Sequence, residues 1–407
     1  MSSYKMTNLK YRSKKILDNF LHCPDEANMY ELTSYALHHD LNDDEILYLA
    51  YGLADSGDRI RLKNKSDVCD IPSTGGPSSL STLICPLLLK ILGNNVLKLG
   101  IPGRPAGGID VLAQISGYNI NPDLNQINKW INRTSYVHFL ASKKFTPLDA
   151  ILFQYRKETN TINIPALVIA SLLSKKIAVG LNYMGLDIRV SSFGNFGKTW
   201  DEARQNGKRF NKIANLAGIQ SKCFLTNGNN PQQPYIGRGE AILALHKIFT
   251  KNTNPLMEKH LEHCFSMANS ISLNKSSNGY SISSLSDAFS ENIRIQGGQI
   301  SSFTQIAKEV DEQHKYNIRA SRNGILSIDL GKIRNAILTI QAKSNDVFPD
   351  TCGVVLKFMP NTNIAKEDII CTFRCETRYK EEFENDLQIS FGTTLNITDL
   401  TEFEEVL

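Results

Sequence analysis

The chain has 407 residues, 41% hydrophobic and 21% charged, with 26 glycines and 14 prolines. That composition is too apolar for disorder and too mixed for a fibre or a repeat array, and at roughly 100–200 residues per domain it predicts two or three domains. The 45 Lys and Arg against 41 Asp and Glu leave a net charge of +4, too small and too dispersed to point to nucleic acid.

The first twenty residues, MSSYKMTNLKYRSKKILDNF, are basic but lack the apolar core and small-residue cleavage site of a secretory signal. The longest apolar run, Leu83 to Leu92, is broken by Pro86 and Lys90 and is about half of what a bilayer requires. The eight cysteines are scattered, with no Cys-x-x-Cys pair, which fits reduced thiols better than a disulfide framework. A soluble cytoplasmic protein with no membrane or nucleic-acid partner is expected.

Residues 12–60 read as short helices. In LNDDEILYLAYGLADSGDRI, Asn42 is an N-cap, acidic residues occupy the first turn and Gly57 is the stop. From about residue 67 short apolar strands, glycine turns and helices alternate, the signature of α/β layering. VLKLG (96–100) and GLDIRVSS (185–192) read as strands, GIDVLAQISGY as a helix, and 273–284 as a loop. After residue 315 the texture becomes mixed α+β, with an Asn323-Gly324 hairpin signal in NIRASRNGILSIDL.

Two glycine loops carry the chemistry. Asp70-Ile71-Pro72-Ser73-Thr74-Gly75-Gly76-Pro77-Ser78-Ser79 precedes Leu80, Leu83, Ile84, Leu87, Leu88 and Ile91, a helical period of 3.6. The glycines admit a ligand close to the backbone, and Pro77 fits the first helical turn. The hydroxyls of Ser73, Thr74, Ser78, Ser79 and Ser81 crowd a helix start, where free N–H groups and the helix dipole favour a phosphate. A second loop, Gly100-Ile101-Pro102-Gly103-Arg104-Pro105-Ala106-Gly107-Gly108, follows the next strand. Loops at successive strand-to-helix junctions form two walls of one crevice. Neither matches a Walker loop or GxGxxG.

INIPALVIASLLSKKIAVGLNYMG (162–185) is apolar nearly all round, a buried helix with Asn163 as cap and Pro165 in its first turn. Ser171, Ser174, Lys175 and Asn182 form one polar stripe on it. Either Lys175 and Lys176 are solvated at an edge, or Lys175 joins Arg156 and the serines in a cluster that takes up negative charge, because an unpaired buried ammonium is costly. His260 and His263, in His-Leu-Glu-His-Cys, lack the further ligands a zinc site needs.

These segments resemble the thymidine and pyrimidine-nucleoside phosphorylases in order and over nearly the whole chain. The matching stretches are Leu53-Ala54-Asp55-Ser56-Gly57-Asp58, Ile71-Pro72-Ser73-Thr74-Gly75-Gly76, Phe153-Gln154-Tyr155-Arg156-Lys157, Ser171-Leu172-Leu173-Ser174-Lys175-Lys176 and Arg294-Ile295-Gln296-Gly297-Gly298. The resemblance implies a helical domain (1–65 with 155–183), an α/β phosphate-binding domain (66–154 with 184–314) and a C-terminal α+β module (315–407), with the active site in the interdomain cleft. It implies phosphorolysis of a pyrimidine nucleoside to free base and pentose 1-phosphate by a homodimer joined through the helical domain.

Carried over residue by residue, Arg156, Lys175 and Ser171 would stabilise the departing base, with Phe153 and Val168 in the base pocket. Ser73, Thr74, Gly75, Gly76 and Ser81 would hold phosphate, the co-substrate. Glu240 matches a position near a monovalent cation site, and no other cofactor is expected. Two departures stand out: the loop's lysine and histidine in that family are Ile71 and Pro72 here, so Arg104, together with Lys98, is expected to supply the missing cation. The same departures keep open a same-fold phosphoribosyltransferase, a nucleoside hydrolase, a phosphorylase of a nucleotide or modified nucleoside, and a non-catalytic nucleotide-binding homologue.

Overall fold

The computed structural model describes residues 9–62, 68–103, 105–141, 144–394 and 403–406. Helices α1 (Tyr11–His22), α2 (Glu26–His39) and α3 (Asp43–Asp55) lead the chain. Asn42 starts α3 with a capping box: its side chain accepts from the Glu45 N–H, and the Glu45 carboxylate accepts from the Asn42 N–H at 2.8 Å.

Strand β1 (Val68–Asp70), α4 (Ser81–Ile91), β2 (Asn95–Gly100), α5 (Gly108–Leu112), α6 (Leu124–Thr134) and β3 (Tyr136–Leu140) follow. The chain then returns to the leading helices through α7 (Pro147–Glu158) and α8 (Pro165–Ala178), before β4 (Tyr183–Val190), α9 (Trp200–Leu216) and β5 (Gln220–Asn227). Next come β6 (Tyr235–Ile236), α10 (Arg238–Phe249), α11 (Pro255–Ile271), α12 (Ile282–Ile295) and α13 (Ile300–Glu312). The last stretch holds β7 (Tyr316–Arg319), β8 (Gly324–Ile328), α14 (Leu330–Gln341), β9 (Cys352–Leu356), β10 (Asn363–Ile364), β11 (Ile369–Cys375), α15 (Lys380–Gln388), β12 (Phe391–Thr394) and β13 (Phe403–Val406).

The fold is α/β. Its main sheet has six strands in the order β13-β5-β4-β1-β2-β3, parallel except where β13 runs against β5. From β1 the chain builds outward to β2 and β3, then crosses back to add β4 and β5 on the other side. That reversal opens a crevice at the carboxyl ends of β1, β2 and β4, the usual ligand site of such sheets. Alternate residues face opposite layers: Val68 and Leu97 join the apolar cluster shared with α1–α3 and α8, whereas Cys69 and Val96 join the one shared with α4 and α10–α13. A third cluster fills the C-terminal part.

Several local expectations change. The Asn323-Gly324 signal does not make a hairpin, because β7 pairs with β11 while β8 pairs with β10 and β12. Pro77 sits in a turn ahead of α4, which begins at Ser81. The helix at 108 spans five residues. Ile164, not Asn163, is the N-cap residue of α8, with no side-chain cap. The eight cysteines are thiols, and all but Cys23 are buried. Among the described residues no helix is long and apolar enough to cross a membrane.

The C-terminal part is bolted on by charge. Arg374 on β11 binds the buried Glu240 of α10 with both forks, Nε to Oε1 at 2.6 Å and Nη2 to Oε2 at 2.9 Å, and also reaches Asp350 at 2.7 Å. Gly353, opposite Arg374 in the β9–β11 register, leaves room for that carboxylate, since a Cβ there would fall on it. Gly353→Ala is therefore expected to lower unfolding stability by about 3–5 kcal/mol, the cost of disrupting a buried ion pair. Urea denaturation measures this, and a loss under about 1 kcal/mol would contradict it.

Candidate active site

The loop after β1 continues the sheet before it becomes a cradle. Ser73 bridges to Asp187 of β4, the Thr74 N–H donates to the Asp187 carbonyl at 3.0 Å, and the Asp187 N–H donates to the Pro72 carbonyl at 2.9 Å. Gly75 and Gly76 then take φ of 106° and 150°, conformations that favour glycine. A Cβ on Gly76 would lie 3.2 Å from Nη1 of Arg189, so the loop runs directly against that guanidinium.

Arg189 and Asp187 share one face of β4. Arg189 Nε donates to Asp187 Oδ2 at 2.8 Å, and Nη2 donates to Asp187 Oδ2 at 2.6 Å and to the Ser79 and Ser81 hydroxyls at 2.8 and 2.9 Å. Burial would raise the Asp187 carboxyl, but Arg189 and hydrogen bonds from Thr226 and Ser81 hold it below the usual range. His260 of α11 accepts from the Leu80 N–H at 2.9 Å and braces the start of α4.

On the other wall, Asp70 lies buried between two ammonium groups: Lys98 of β2 donates at 2.8 Å and Lys176 of α8 at 2.6 Å. Burial alone would raise the Asp70 carboxyl; the two lysines outweigh it and bring it to about 2. Lys175, one residue earlier on α8, pairs with Asp149 and donates to the Ser171 carbonyl at 2.8 Å and hydroxyl at 3.0 Å. Both lysines are buried, so neither forms a solvated edge.

Ser73, Gly75, Gly76, Lys98, Lys175, Lys176 and Arg189 all line one cleft of about 920 Å³ out to its mouth, closed on its far side by the second glycine loop. Thr74 lines an adjoining chamber with Phe153, and its hydroxyl accepts from the Arg189 N–H at 2.9 Å. Ser81 is turned to Asp187, its hydroxyl donating at 2.9 Å. Val168 is buried within the helical cluster.

Arg156 does not line the cleft. Its buried guanidinium donates to the carbonyls of Thr161, Leu167 and Ile162 at 3.2, 3.3 and 2.8 Å, clamping the α7–α8 connection. Burial draws it down to about 10, with Asp149 opposing. The Ser171 hydroxyl is held beside Lys175. Arg104 lies outside the described residues. Lys98 faces the cleft, but Asp70 and the Ile71 carbonyl, at 2.9 Å, take up its charge and protons.

Two lining residues were missed by sequence reasoning. Arg189 sits within an apolar strand, and the alternation of Asp187 with Arg189 on one face was the available signal. His138, in the middle of β3, is buried with Nε2 unpartnered. It faces the second glycine loop closely enough that a Cβ on Gly100 would lie 3.1 Å from Nε2. Burial, with Lys98 adding to it, drives the His138 pKa well below the usual imidazole range despite Asp70, so the ring is neutral.

The chain resembles the pyrimidine-nucleoside phosphorylases over nearly its whole length. It is 26% identical over 377 residues to the enzyme of that name from Staphylococcus epidermidis, covering 87% of this chain and 86% of the relative. It is 24% identical over 398 residues to that from Staphylococcus aureus, covering 93% and 92%. No family model matches the sequence. Among solved structures, anthranilate phosphoribosyltransferase from Saccharomyces cerevisiae aligns with a TM-score of 0.49 at 11% identity, covering 76% of this chain and 94% of its own.

The Asp70 carboxyl at about 2 lies below its ordinary 3.8, so its pairing stabilises the fold above that ordinary value and the contribution fades as pH falls toward the folded one. Asp70→Asn leaves two buried ammonium groups facing an amide. It is expected to cost about 3–5 kcal/mol near neutral pH and to flatten the acid limb of stability against pH. Urea titrations across that range test this, and wild-type stability in the variant would contradict it.

Proposed function

We propose that the chain is a pyrimidine-nucleoside phosphorylase: an enzyme that uses inorganic phosphate to split a pyrimidine nucleoside or deoxynucleoside into free base and pentose 1-phosphate. The observation that carries this reading is that Lys175 and the Ser73–Gly76 cradle line the same cleft, in a chain that resembles phosphorylases throughout.

In this reading the hydroxyl of Ser73, the N–H groups of Gly75 and Gly76 and the free Nη1 edge of Arg189 hold the phosphate. Thr74 and Ser81 act one step back, by fixing Arg189. Arg189 takes the part of the cation missing at Ile71. Tyr136 lies 3.1 Å from His138 Nδ1; with its hydroxyl donating there, the imidazole proton sits on Nε2 and becomes a further donor to phosphate. Phosphate is already an anion, so positioning it against the anomeric carbon does most of the work and no activating base is needed.

As the C–N bond breaks, its electron pair moves into the base. Lys175 shifts the N–H it gives to the Ser171 hydroxyl onto a base carbonyl oxygen, where it stabilises the developing charge while Asp149 keeps it aimed, and the released Ser171 hydroxyl donates to the same edge. Arg156 serves as a positioning residue, holding the segment that orients α8. The reading includes a cytoplasmic homodimer joined through the helical elements. Tyr11, Tyr30 and Leu37 on α1 and α2 are 86%, 66% and 60% exposed, an apolar surface that such an interface would cover.

Purified protein incubated with thymidine or uridine, with and without phosphate, is expected to release free base only when phosphate is present, as followed by chromatography. His138→Leu is expected to raise the phosphate KM about tenfold, the equivalent of one hydrogen bond of about 1.4 kcal/mol. Release that ignores phosphate, or no release at all, would overturn the reading.

A further inference from the structure

Beside the cleft lies a second, smaller chamber, about 430 Å³ when counted out into solvent at its mouth, and Gly75, Gly76 and Arg334 line both. The seam between the two spaces is thus the anion cradle on one side and a guanidinium on the other. Arg334 stands on the first turns of α14 and is half-buried. It makes no ion pair or hydrogen bond to any described residue, and burial alone pulls its pKa below the usual arginine range. The other buried cations of the cleft differ: Lys98, Lys175, Lys176 and Arg189 each face a carboxylate.

The position of Arg334 is set by packing. Gly331, one turn earlier on α14, lies against Phe193 so closely that a Cβ there would come within 2.9 Å of its ring. That contact docks α14 on the loop after β4. The same loop supplies Ser191 and Asn195 to the chamber, and Asn195 Oδ1 is buried without a partner. Among the described residues no acidic side chain lines the chamber. A desolvated cation without a counter-charge and a hydroxyl, around a space whose described lining holds no acid, make a set of groups that lacks an anionic ligand.

We propose that this chamber binds a phosphomonoester carried by the nucleoside itself, so that the preferred substrate is a pyrimidine nucleoside 5′-monophosphate. The inference rests on the reading of the cleft given above. With the base on α8 and the anomeric carbon over the cradle, the exocyclic 5′ oxygen is the pentose hydroxyl that projects farthest from the breaking bond. A phosphate there is close to a dianion at neutral pH. The planar guanidinium of Arg334 donates to two of its oxygens side by side, while the Ser191 hydroxyl and the Asn195 Nδ2 group donate to the remainder.

The test compares uridine with uridine 5′-monophosphate at saturating inorganic phosphate, in the wild type, Arg334→Met and Arg334→Lys. The wild type is expected to show a kcat/KM at least tenfold higher for the monophosphate. In Arg334→Met the ratio falls to about one, and in Arg334→Lys it is partly restored. Equal kcat/KM for both substrates in the wild type would overturn the proposal, as would a preference that survives in Arg334→Met. A rise in the KM for inorganic phosphate that is the same with either substrate would also overturn it, by assigning Arg334 to the co-substrate.

Calorimetric binding of the same two compounds separates this proposal from the parent reading. If no base is released from either, yet the monophosphate binds tenfold tighter than uridine in the wild type alone, the subsite stands and the phosphorylase reading falls. Equal binding in that case removes the subsite as well.

Discussion

The site depends on one buried carboxylate. Asp70 ends β1, and by accepting from Lys98 of β2 and Lys176 of α8 it ties two strands of the sheet to a helix that belongs to the leading helical layer. Each ammonium would be expensive to bury alone; together around Asp70 they hold α8 at the mouth of the cradle, which begins three residues later. Successive helix residues are about 100° apart, so anchoring Lys176 on Asp70 turns Lys175 to a different quarter, toward Asp149 and the cleft.

A second pair does for the cradle what Asp70 does for the helix. Ile71 is wholly buried in the cluster around α4, and Pro72 has no side-chain donor, so the loop contributes no cation of its own. Positive charge reaches it from β4 instead. Asp187 fixes the Nε–Nη2 edge of the Arg189 guanidinium and leaves Nη1 against Gly76. Ser79 and Ser81, which resemble phosphate ligands in the sequence, instead hold that guanidinium. In the proposed reading this arrangement replaces a loop cation by one from the adjacent strand and keeps the glycine turn.

The layered α/β fold was legible because its signals are local and repeated: the capping box at Asn42, the period of the apolar residues in α4, glycines after strands, and an apolar helix at α8. The cleft lining by Ser73, Gly75, Gly76 and Lys175 was legible for the same reason. Long-range pairing was not. Asn323-Gly324 is a good turn, yet the strands flanking it are claimed by β11 on one side and by β10 and β12 on the other. The target of Arg156 was hidden because backbone carbonyls leave no trace in residue identity. His138 and Arg189 were hidden because a polar residue in a buried strand looks the same whether it faces a neighbour or a cavity.

The proposed reaction turns on one bond: an oxygen of phosphate, held on the Ser73–Gly76 cradle against Arg189, attacks the pentose carbon that the base leaves. Running the reaction with phosphate labelled in all its oxygens with oxygen-18 and analysing the sugar product by mass spectrometry tests that claim directly. Phosphorolysis puts the label on the anomeric oxygen, within a sugar 1-phosphate. A free sugar whose anomeric oxygen comes from unlabelled water would contradict it.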